Sequence, residues 1–404
     1  MAEARNGIGL LVGGLLASLL LGGGTSTGRP AVRLCLEVLD VGQGDALLLD
    51  LPGGERWLVD GGGDPSGRVD VGQRRLLPAL RHRGVERIQR VFATHGDLDH
   101  VGGLSAVLQE LEVDELWLPR RAGLGHGLRR LLSEAERRGV PVRSVEDGDA
   151  LRAPAPLDAT LLHPRPGWVE ALGLDADENN GSIVLRLRLG DVAMLLTGDI
   201  EAPAEEHLLQ QGLARTAVMK VPHHGSRSSS TAPLVEAADP LVAVAGAGRE
   251  NRFGFPHASV SSRYLRRGAP LYWTGRHGEL RVCTDGWSLE AEQARTAGRW
   301  TPLRTWDAEA IRTWRDAGPS TSGAGAQLAE ASEAPSLGVD VHPRPRRRSA
   351  GRSKRRAKPR SPRKARPAPT PKATPEPTPP VLLDDRTWER HRRQRHRPKP
   401  PWKR

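Results

Sequence analysis

The segment THGDLDHVGG, residues 94–103, constrains this chain more than any other part of its 404 residues. Four side chains that can ligate a metal ion, His95, Asp97, Asp99 and His100, fall within six positions. The segment follows an apolar run typical of a buried strand and precedes a run with helical spacing. A sharp turn there aims imidazoles and carboxylates at one point, and this donor set suits zinc or manganese. A solvated acidic turn that caps the next helix is the alternative.

Two later segments favour the metal site over the helix cap. Asp199 ends the apolar run LTGD, where its carboxylate could bridge two cations. His223 and His224 follow another apolar run in KVPHHGS, and two adjacent histidines there are hard to explain as packing. The sequence does not decide which of the two is a ligand.

The pattern from Val32 to Thr284 alternates short strand-like runs with amphipathic helices. Several strands are arranged as hairpins, which favours a layered α/β architecture of mixed sheets over a doubly wound parallel sheet. We expect strands at 32–40, 46–51, 56–60, 88–94, 183–189, 193–197, 218–222, 241–245 and 279–283, and helices at 71–83, 103–111, 125–138, 202–212, 232–238 and 258–267.

Further motifs carry a resemblance to a known family. DVGQGDA at 40–46, VDGG at 59–62 and ENNGSIV at 178–184 occur in order with the three segments above. Together these motifs resemble the metallo-β-lactamase domain of the ComEC competence proteins over roughly residues 32–285. The resemblance implies an αββα sandwich with the metals at one edge of the sheets, and a metal-dependent hydrolase.

The resemblance also implies two divalent metal ions, zinc or manganese, and their ligands. Asp97 stands where many members of the superfamily have a second histidine, and ENNGSIV occupies the region of a further histidine ligand. The implied ligands are His95 and Asp97 for the first ion, Asp99 and His100 for the second, Asp199 as a bridge, and one of His223 and His224 on the second ion.

Such a pair of cations lowers the pKa of a shared water and holds the attacked group for in-line displacement. Other polar residues of the motifs are candidates to orient that water or to meet substrate. Two of these candidates, Lys220 and His257, have an alternative interpretation as surface residues without a role in the site. The candidates are Asp99 and Asp60 for the water, Lys220, Asn180 and Ser182 for phosphate oxygens, and His257 for the substrate pocket. Asp40 and Asp45, which flank a glycine-rich turn, we interpret as conformational.

Cys35 and Cys283 are the two cysteines of the chain, and each lies in an apolar, strand-like run. We predict two buried thiols. One disulfide is the alternative if the protein is exported, because oxidising compartments permit it.

Residues 1–30 have the layout of a signal peptide or an N-terminal membrane anchor. A charged start precedes the apolar stretch Ile8–Leu21, which is short of the ~20 residues needed to span a bilayer. We therefore expect an exported protein, periplasmic, otherwise extracytoplasmic, or membrane-anchored.

The positive charge of the chain is concentrated at its C-terminal end. Residues 341–404 hold 23 Lys and Arg against 4 Asp and Glu, whereas residues 1–340 hold 37 against 44. The composition of 304–404, rich in Pro, Lys and Arg, predicts a disordered tail. We expect the tail to bind a polyanion such as DNA or an anionic envelope surface.

These observations predict a hydrolase domain at 31–303 that acts as a phosphodiesterase or nuclease on DNA or another phosphodiester. Full ComEC proteins are polytopic and contain a channel for single-stranded DNA, and nothing in this sequence resembles that channel. The alternative is a non-catalytic tethering or DNA-binding protein of the envelope that acts through its basic tail.

Overall fold

A computed structural model describes residues 32–120, 125–165, 167–168, 178–296 and 298–318. Within these ranges no helix has both the length and the hydropathy to cross a lipid bilayer. The expected signal or anchor at 1–30 and the Pro/Lys/Arg-rich tail from residue 319 onward lie outside the described residues.

Fifteen strands within the described ranges form two mixed sheets. The larger sheet has the order β15-β14-β13-β1-β2-β3-β4-β5-β6, antiparallel from β15 to β3 and parallel from β3 to β6. Its strands are β1 Leu34–Val38, β2 Leu47–Asp50, β3 Arg56–Val59, β4 Arg87–Phe92, β5 Glu112–Pro119, β6 Val142–Val145, β13 Glu279–Thr284, β14 Leu289–Ala294 and β15 Thr301–Trp306.

The smaller sheet has the order β12-β11-β10-β9-β8-β7. It is parallel from β12 to β9 and antiparallel from β9 to β7. Its strands are β7 Asp158–His163, β8 Val184–Leu189, β9 Val192–Leu196, β10 Val218–Lys220, β11 Val242–Ala245 and β12 Leu271–Trp273.

Most of the helices cover the outer faces of the two sheets. In chain order they are α1 Leu77–His82 after a π-helical turn at Gly72–Leu76, α2 Leu98–Val101, α3 Leu104–Glu110, α4 His126–Arg138, α5 Ala202–Gln210, α6 Ala232–Ala238, α7 Ala258–Arg266, α8 Thr274–His277 and α9 Ala308–Asp316.

Alternation along the strands divides the apolar side chains among three cores. In β2, Leu47 and Leu49 point between the sheets, while Leu48 packs under α1, α3 and α4. In β9, Met194 points between the sheets and Leu195 packs under α5, α6 and α7. Because successive strand residues face opposite sides, each sheet buries both of its faces. The αββα sandwich implied by the resemblance is confirmed.

The two cysteines are joined by a disulfide, so the prediction of two buried thiols is wrong. Cys35 in β1 and Cys283 in β13 are directly opposed in the antiparallel ladder, and the described residues contain no unpaired cysteine. The pairing of β1 with β13 brings together two cysteines that are 248 residues apart in the chain.

The described fold continues past the expected domain boundary at residue 303, which falls inside β15. Trp306 and Ile311 are buried in the core between the sheets. In α9, the Trp314 indole donates to the Asp239 carbonyl at 2.9 Å, and its ring lies against the Arg215 guanidinium. These contacts attach residues 301–316 to the sandwich.

Candidate metal centre

The segments singled out in the sequence meet at one edge of the two sheets. His95 and His100 follow β4, Asp199 follows β9, and the 3-10 turn Pro222–Gly225 follows β10. The turn between β1 and β2 adds Asp45 from the same edge. The carboxyl ends of strands β4, β9 and β10 therefore carry the polar side chains, as is usual for sites in α/β sheets.

Three buried ligand atoms form a nearly equilateral triangle at the centre of this edge. His100 Nε2 lies 3.1 Å from His224 Nε2. Asp199 Oδ2 lies 3.1 Å from His100 Nε2 and 3.2 Å from His224 Nε2. Asp99 Oδ2 adds a fourth donor, 3.5 Å from His224 Nε2.

The triangle fits a metal ion. Zn–N bonds of about 2.0–2.1 Å at a tetrahedral angle place two ligand atoms about 3.3 Å apart. Two imidazole nitrogens that face each other at 3.1 Å need either a proton or a cation between them. Asp45, His100, Asp199 and His224 are all buried and can each offer one ligand atom within 4.8 Å of the others. A buried Asp/His cluster of this kind is consistent with a divalent metal site.

Charge in the cluster is balanced between imidazoles and carboxylates. Burial opposes a charge on His100, but the carboxylates of Asp199 and Asp60 outweigh it and raise its pKa well above the ordinary value. Burial likewise opposes ionisation of Asp199, yet His100, His224 and Lys220 together hold the pKa of that carboxyl well below its ordinary value. The site therefore favours an ionised carboxylate facing a positive charge.

A carboxylate stands behind each of the two converging imidazoles. Asp60 Oδ2 lies 2.8 Å from His100 Nδ1 and also accepts from Thr94 Oγ1 at 2.7 Å. Asp45 Oδ1 lies 3.3 Å from His224 Nδ1. Such carboxylates fix the tautomer and orientation of metal-ligating histidines. Asp60 is fully buried, and both of its carboxylate oxygens accept hydrogen bonds. We had expected it to orient a water, but the structure places it behind His100.

Lys220 is buried between two carboxylates and does not reach toward solvent. Its Nζ forms ion pairs with Asp45 and with Asp199 Oδ1, the latter at 3.2 Å, and donates to the Gly198 carbonyl at 2.7 Å. Burial opposes the charge, but Asp45 and Asp199 outweigh it and raise the Lys220 pKa. This position differs from the expected contact with a substrate phosphate.

Of the two adjacent histidines in the turn Pro222–Gly225, His224 faces the triangle. His223 and His224 have φ values of 47° and 52°, a left-handed conformation that non-glycine residues rarely adopt. His224 is buried with Nε2 in the triangle. His223 turns outward, with Nδ1 2.9 Å from Glu201 Oε1 and Nε2 3.9 Å from Asp199 Oδ2.

His95 and Asp97 form a second, smaller donor set. His95 Nε2 is buried and lies 3.7 Å from Asp97 Oδ2. Glu178 packs beside them, since a Cβ on Gly96 would come within 1.8 Å of Glu178 Oε2. Neither His95 Nε2 nor Glu178 Oε2 has a hydrogen-bond partner among the residues that the structure describes. Two orphaned acceptors beside an aspartate also fit a cation.

Two of the three other residues expected to contact substrate, Ser182 and Asn180, form hydrogen bonds within the protein instead. Ser182 Oγ lies 3.3 Å from His95 Nδ1 and accepts from the Asp199 amide at 3.2 Å. Asn180 Oδ1 accepts from the amides of Glu201 and Ala204 at the start of α5. His257 precedes α7 and contacts Phe255, whose ring in turn contacts His223. Ser182 and Asn180 therefore stabilise the segments that form the site, and His257 lies near its rim.

Sequence reasoning missed three acidic residues of the site. Asp45 belongs to the DVGQGDA motif but was interpreted as conformational, because the motif does not show that its carboxylate lies behind His224. Glu178 begins the ENNGSIV motif but was not singled out within it, and Glu201 lies in none of the motifs. The contacts of both residues join segments that are far apart in the chain.

Comparison with known proteins identifies similar chains. Residues 39–249, just over half of the chain, match the metallo-beta-lactamase superfamily. ComE operon protein 3 of Bacillus subtilis (strain 168) is 28% identical over 61% of this chain and 32% of that protein. Recombination protein 2 of Haemophilus influenzae is 30% identical over 65% and 30%. Competence protein ComA of Neisseria gonorrhoeae is 29% identical over 69% and 37%. The chain spans about a third of the length of these relatives.

Proposed function

The chain belongs to the metallo-beta-lactamase superfamily and is related to the ComEC-type competence proteins, and from this premise we propose that it is a metal-dependent phosphodiesterase or nuclease. The observation that carries the proposal is the triangle of His100 Nε2, His224 Nε2 and Asp199 Oδ2, completed by Asp99. A divalent cation bound by these atoms supplies Lewis-acid chemistry, since it polarises a phosphoryl oxygen and lowers the pKa of water toward neutrality.

The chain's own residues prepare the site for that chemistry. Asp60 and Asp45 hold the protons of His100 and His224 on Nδ1, so that both Nε2 lone pairs face inward. Lys220 fixes Asp199 by its second oxygen and leaves Oδ2 for the triangle. Asp99 is the ligand that is partly accessible, with 19% of its side chain exposed, and is placed to accept a proton from an attacking water.

We propose two metal ions, zinc or manganese, in the arrangement that the resemblance implies. His95 and Asp97 hold the first ion, and Glu178 replaces the histidine ligand that this sequence lacks. An imidazole with two carboxylates suits manganese as well as zinc. In-line displacement at phosphorus is a reaction for which paired cations are well suited.

DNA is the phosphodiester we propose as substrate. The relatives named competence protein and recombination protein support it, as does the excess of Lys and Arg in residues 341–404. Many basic side chains bind phosphates with a salt-dependent affinity. An anionic envelope surface is a second partner for the same tail.

We further propose that the protein is exported or anchored outside the cytoplasm. The Cys35–Cys283 disulfide supports this location, because disulfides persist in oxidising compartments and are rare in the cytosol.

The test uses the full chain, stripped of metal and reloaded with manganese or zinc. We expect it to bind metal and to hydrolyse a small chromogenic phosphodiester and DNA. The double variant Asp99→Ala/His100→Ala should lose both metal and hydrolysis, whereas His126→Ala, an exposed histidine on α4, should retain both. Full activity in the double variant would contradict the proposal.

A second comparison separates the two adjacent histidines. His224→Ala should lose bound metal, and His223→Ala should keep the ion of the triangle. If wild-type protein binds DNA but shows no turnover with either metal, the protein is a tethering protein that acts through its basic tail.

A further inference from the structure

A cavity of about 560 Å³ lies beside the metal centre and shares none of its ligands. The loops that follow β1 and β11, together with α8, form most of its wall. Four arginines line it: Arg75, Arg249, Arg276 and Arg295. Two carboxylates, Asp40 and Glu250, also line it, so the wall carries a net positive charge.

None of the four arginines forms an ion pair with a carboxylate within the described part of the chain. Elsewhere, Arg83, Arg87 and Arg281 each pair with at least one carboxylate at 2.6–2.8 Å. Guanidinium groups gathered around one cavity without carboxylate partners repel one another. They are stabilised when an anion enters, because a guanidinium presents its donors in a fork that matches phosphate oxygens.

A further donor in the wall lacks an acceptor. Gln43 lines the cavity and accepts from the Gly248 amide through Oε1 at 3.3 Å. Its Nε2 is buried and has no hydrogen-bond partner among the described residues. A buried amide donor without an acceptor is costly, so this wall has a surplus of donors as well as of positive charge.

The cavity adjoins the metal centre through two short links. Gln43 is two residues from Asp45, which stands behind the ligand His224. On the other side, the loop that carries Arg249 continues to Phe255, whose ring centroid lies 6.3 Å from that of His224. The same two loops therefore contribute residues to the cavity and to the surroundings of the triangle, as the binding of one strand at both places requires.

We propose that the cavity binds a phosphate oxyanion, and that it holds a neighbouring phosphate of the strand whose phosphodiester lies at the metal centre. The second half of this inference rests on the proposed function. The first half, the binding of a phosphate group by the arginines, does not.

The test measures binding in the presence of a chelator, so that no turnover takes place. The full chain carrying Arg249→Ser/Arg276→Ser is compared with wild type and with Arg130→Ser/Arg266→Ser. The control pair removes the same charge from exposed arginines on α4 and α7, outside the cavity. The probes are pyrophosphate and a short single-stranded oligonucleotide.

We expect the cavity variant to bind the oligonucleotide about tenfold more weakly than the control at low salt. The slope of log affinity against log salt should fall by about 1.4, the value for two lost phosphate contacts on a single strand. Loss of pyrophosphate binding in the same variant identifies the cavity as a site for free phosphate anions too. Equal affinities of the cavity variant and the control for both probes, with unchanged thermal midpoints, would overturn the proposal.

Failure of the inference and failure of the proposed function give different results. If the wild type binds the probes through the arginines but hydrolyses nothing with manganese or zinc, the phosphate site stands and the hydrolase does not. If turnover occurs and the arginine variant binds as the control does, the reverse holds.

Discussion

Asp60 acts on the metal centre from behind His100. It accepts from the Thr94 amide, the Thr94 hydroxyl and the His100 ring, and none of its surface is exposed. Its φ of 60° is one of five left-handed values at described non-glycine residues, and His223 and His224 account for two more. At Asp60 and His224 the strained backbone directs the side chains into the cluster around the triangle.

We expect Asp60→Asn to lower metal affinity by about 10–100-fold while the protein stays folded. The amide no longer compels the His100 proton to lie on Nδ1, so the Nε2 lone pair is lost in part of the population. Competition with a chromophoric chelator measures the affinity. Asp158→Asn, which alters an exposed ion pair with Arg188, is the control and should bind metal as the wild type does. Equal affinities in both variants would show that Asp60 does not orient His100.

His163 makes stability depend on pH. Burial lowers the pKa of His163 to about 4, although its Nε2 lies 2.8 Å from the Asn180 carbonyl oxygen. The unfolded chain takes up a proton below about pH 6.5 while the folded ring stays neutral. The folded state therefore loses free energy of unfolding as the pH falls from about 6.5 toward 4.

The loss from this residue should be about 2 kcal/mol between pH 7 and pH 5. Urea unfolding at the two pH values measures it. His163→Gln should remove that part of the pH dependence, and His126→Gln, at an exposed position, should leave it unchanged. A His163→Gln variant with the full pH dependence would refute the assignment.

At the scale of elements, strands with continuous apolar sequence were predictable and strands with alternating charge were not. The predicted strands at 193–197 and 218–222 correspond to β9 and β10, because both are buried on two faces. β14 and β15 were missed, since neither LEAEQA nor TPLRTW is a continuous apolar run and both strands lie at one edge of the larger sheet. β12, three residues long, gives too little periodicity to detect.

The residues of the candidate site also fall into those that the sequence predicts and those that it does not. His95, His100 and Asp199 could be predicted because each follows a strand within a recognisable motif. The role of Asp45 could not, because it depends on contacts with Lys220 and His224 across the two sheets. A pattern along the chain records neighbours in sequence, and these contacts join residues that only the fold brings together.

The disulfide is the covalent link between β1 and β13, and its removal should destabilise the sandwich. Closing a loop of this length restricts the unfolded chain, so Cys35→Ala/Cys283→Ala should lose about 2–5 kcal/mol of the free energy of unfolding. Urea unfolding measures the loss. Reductant should lower the wild-type midpoint and leave the variant unchanged. A wild type that is insensitive to reductant and equal to the variant would contradict the presence of the bond.

At the scale of the whole molecule, catalysis and retention of a polyanion are assigned to different parts of the chain. Residues 1–340 carry a net charge of −7, and residues 341–404 carry +19. Deletion of 341–404 should weaken DNA affinity and flatten its salt dependence, because fewer counterions are released on binding. Turnover of a small phosphodiester should be unchanged, since that substrate needs only the metal centre.

Deletion of 319–340, a segment without Lys or Arg, is the matched control and should leave DNA affinity as it is. If removal of 341–404 changes neither affinity nor salt slope, the tail binds something other than DNA, and an anionic envelope surface becomes the candidate.

The pairing of β1 with β13 also sets a minimum time before the larger sheet can be completed during synthesis. β1 ends at Val38 and β13 begins at Glu279, yet the two strands are neighbours in the larger sheet. At about 5–20 residues per second, a ribosome needs about 10–50 s to synthesise the chain between them. During that interval β1 lacks the strand that completes its ladder, so the larger sheet cannot be completed before β13 has been synthesised. Until then the nascent chain exposes an unpaired strand edge and apolar surface, which make incomplete chains prone to aggregation.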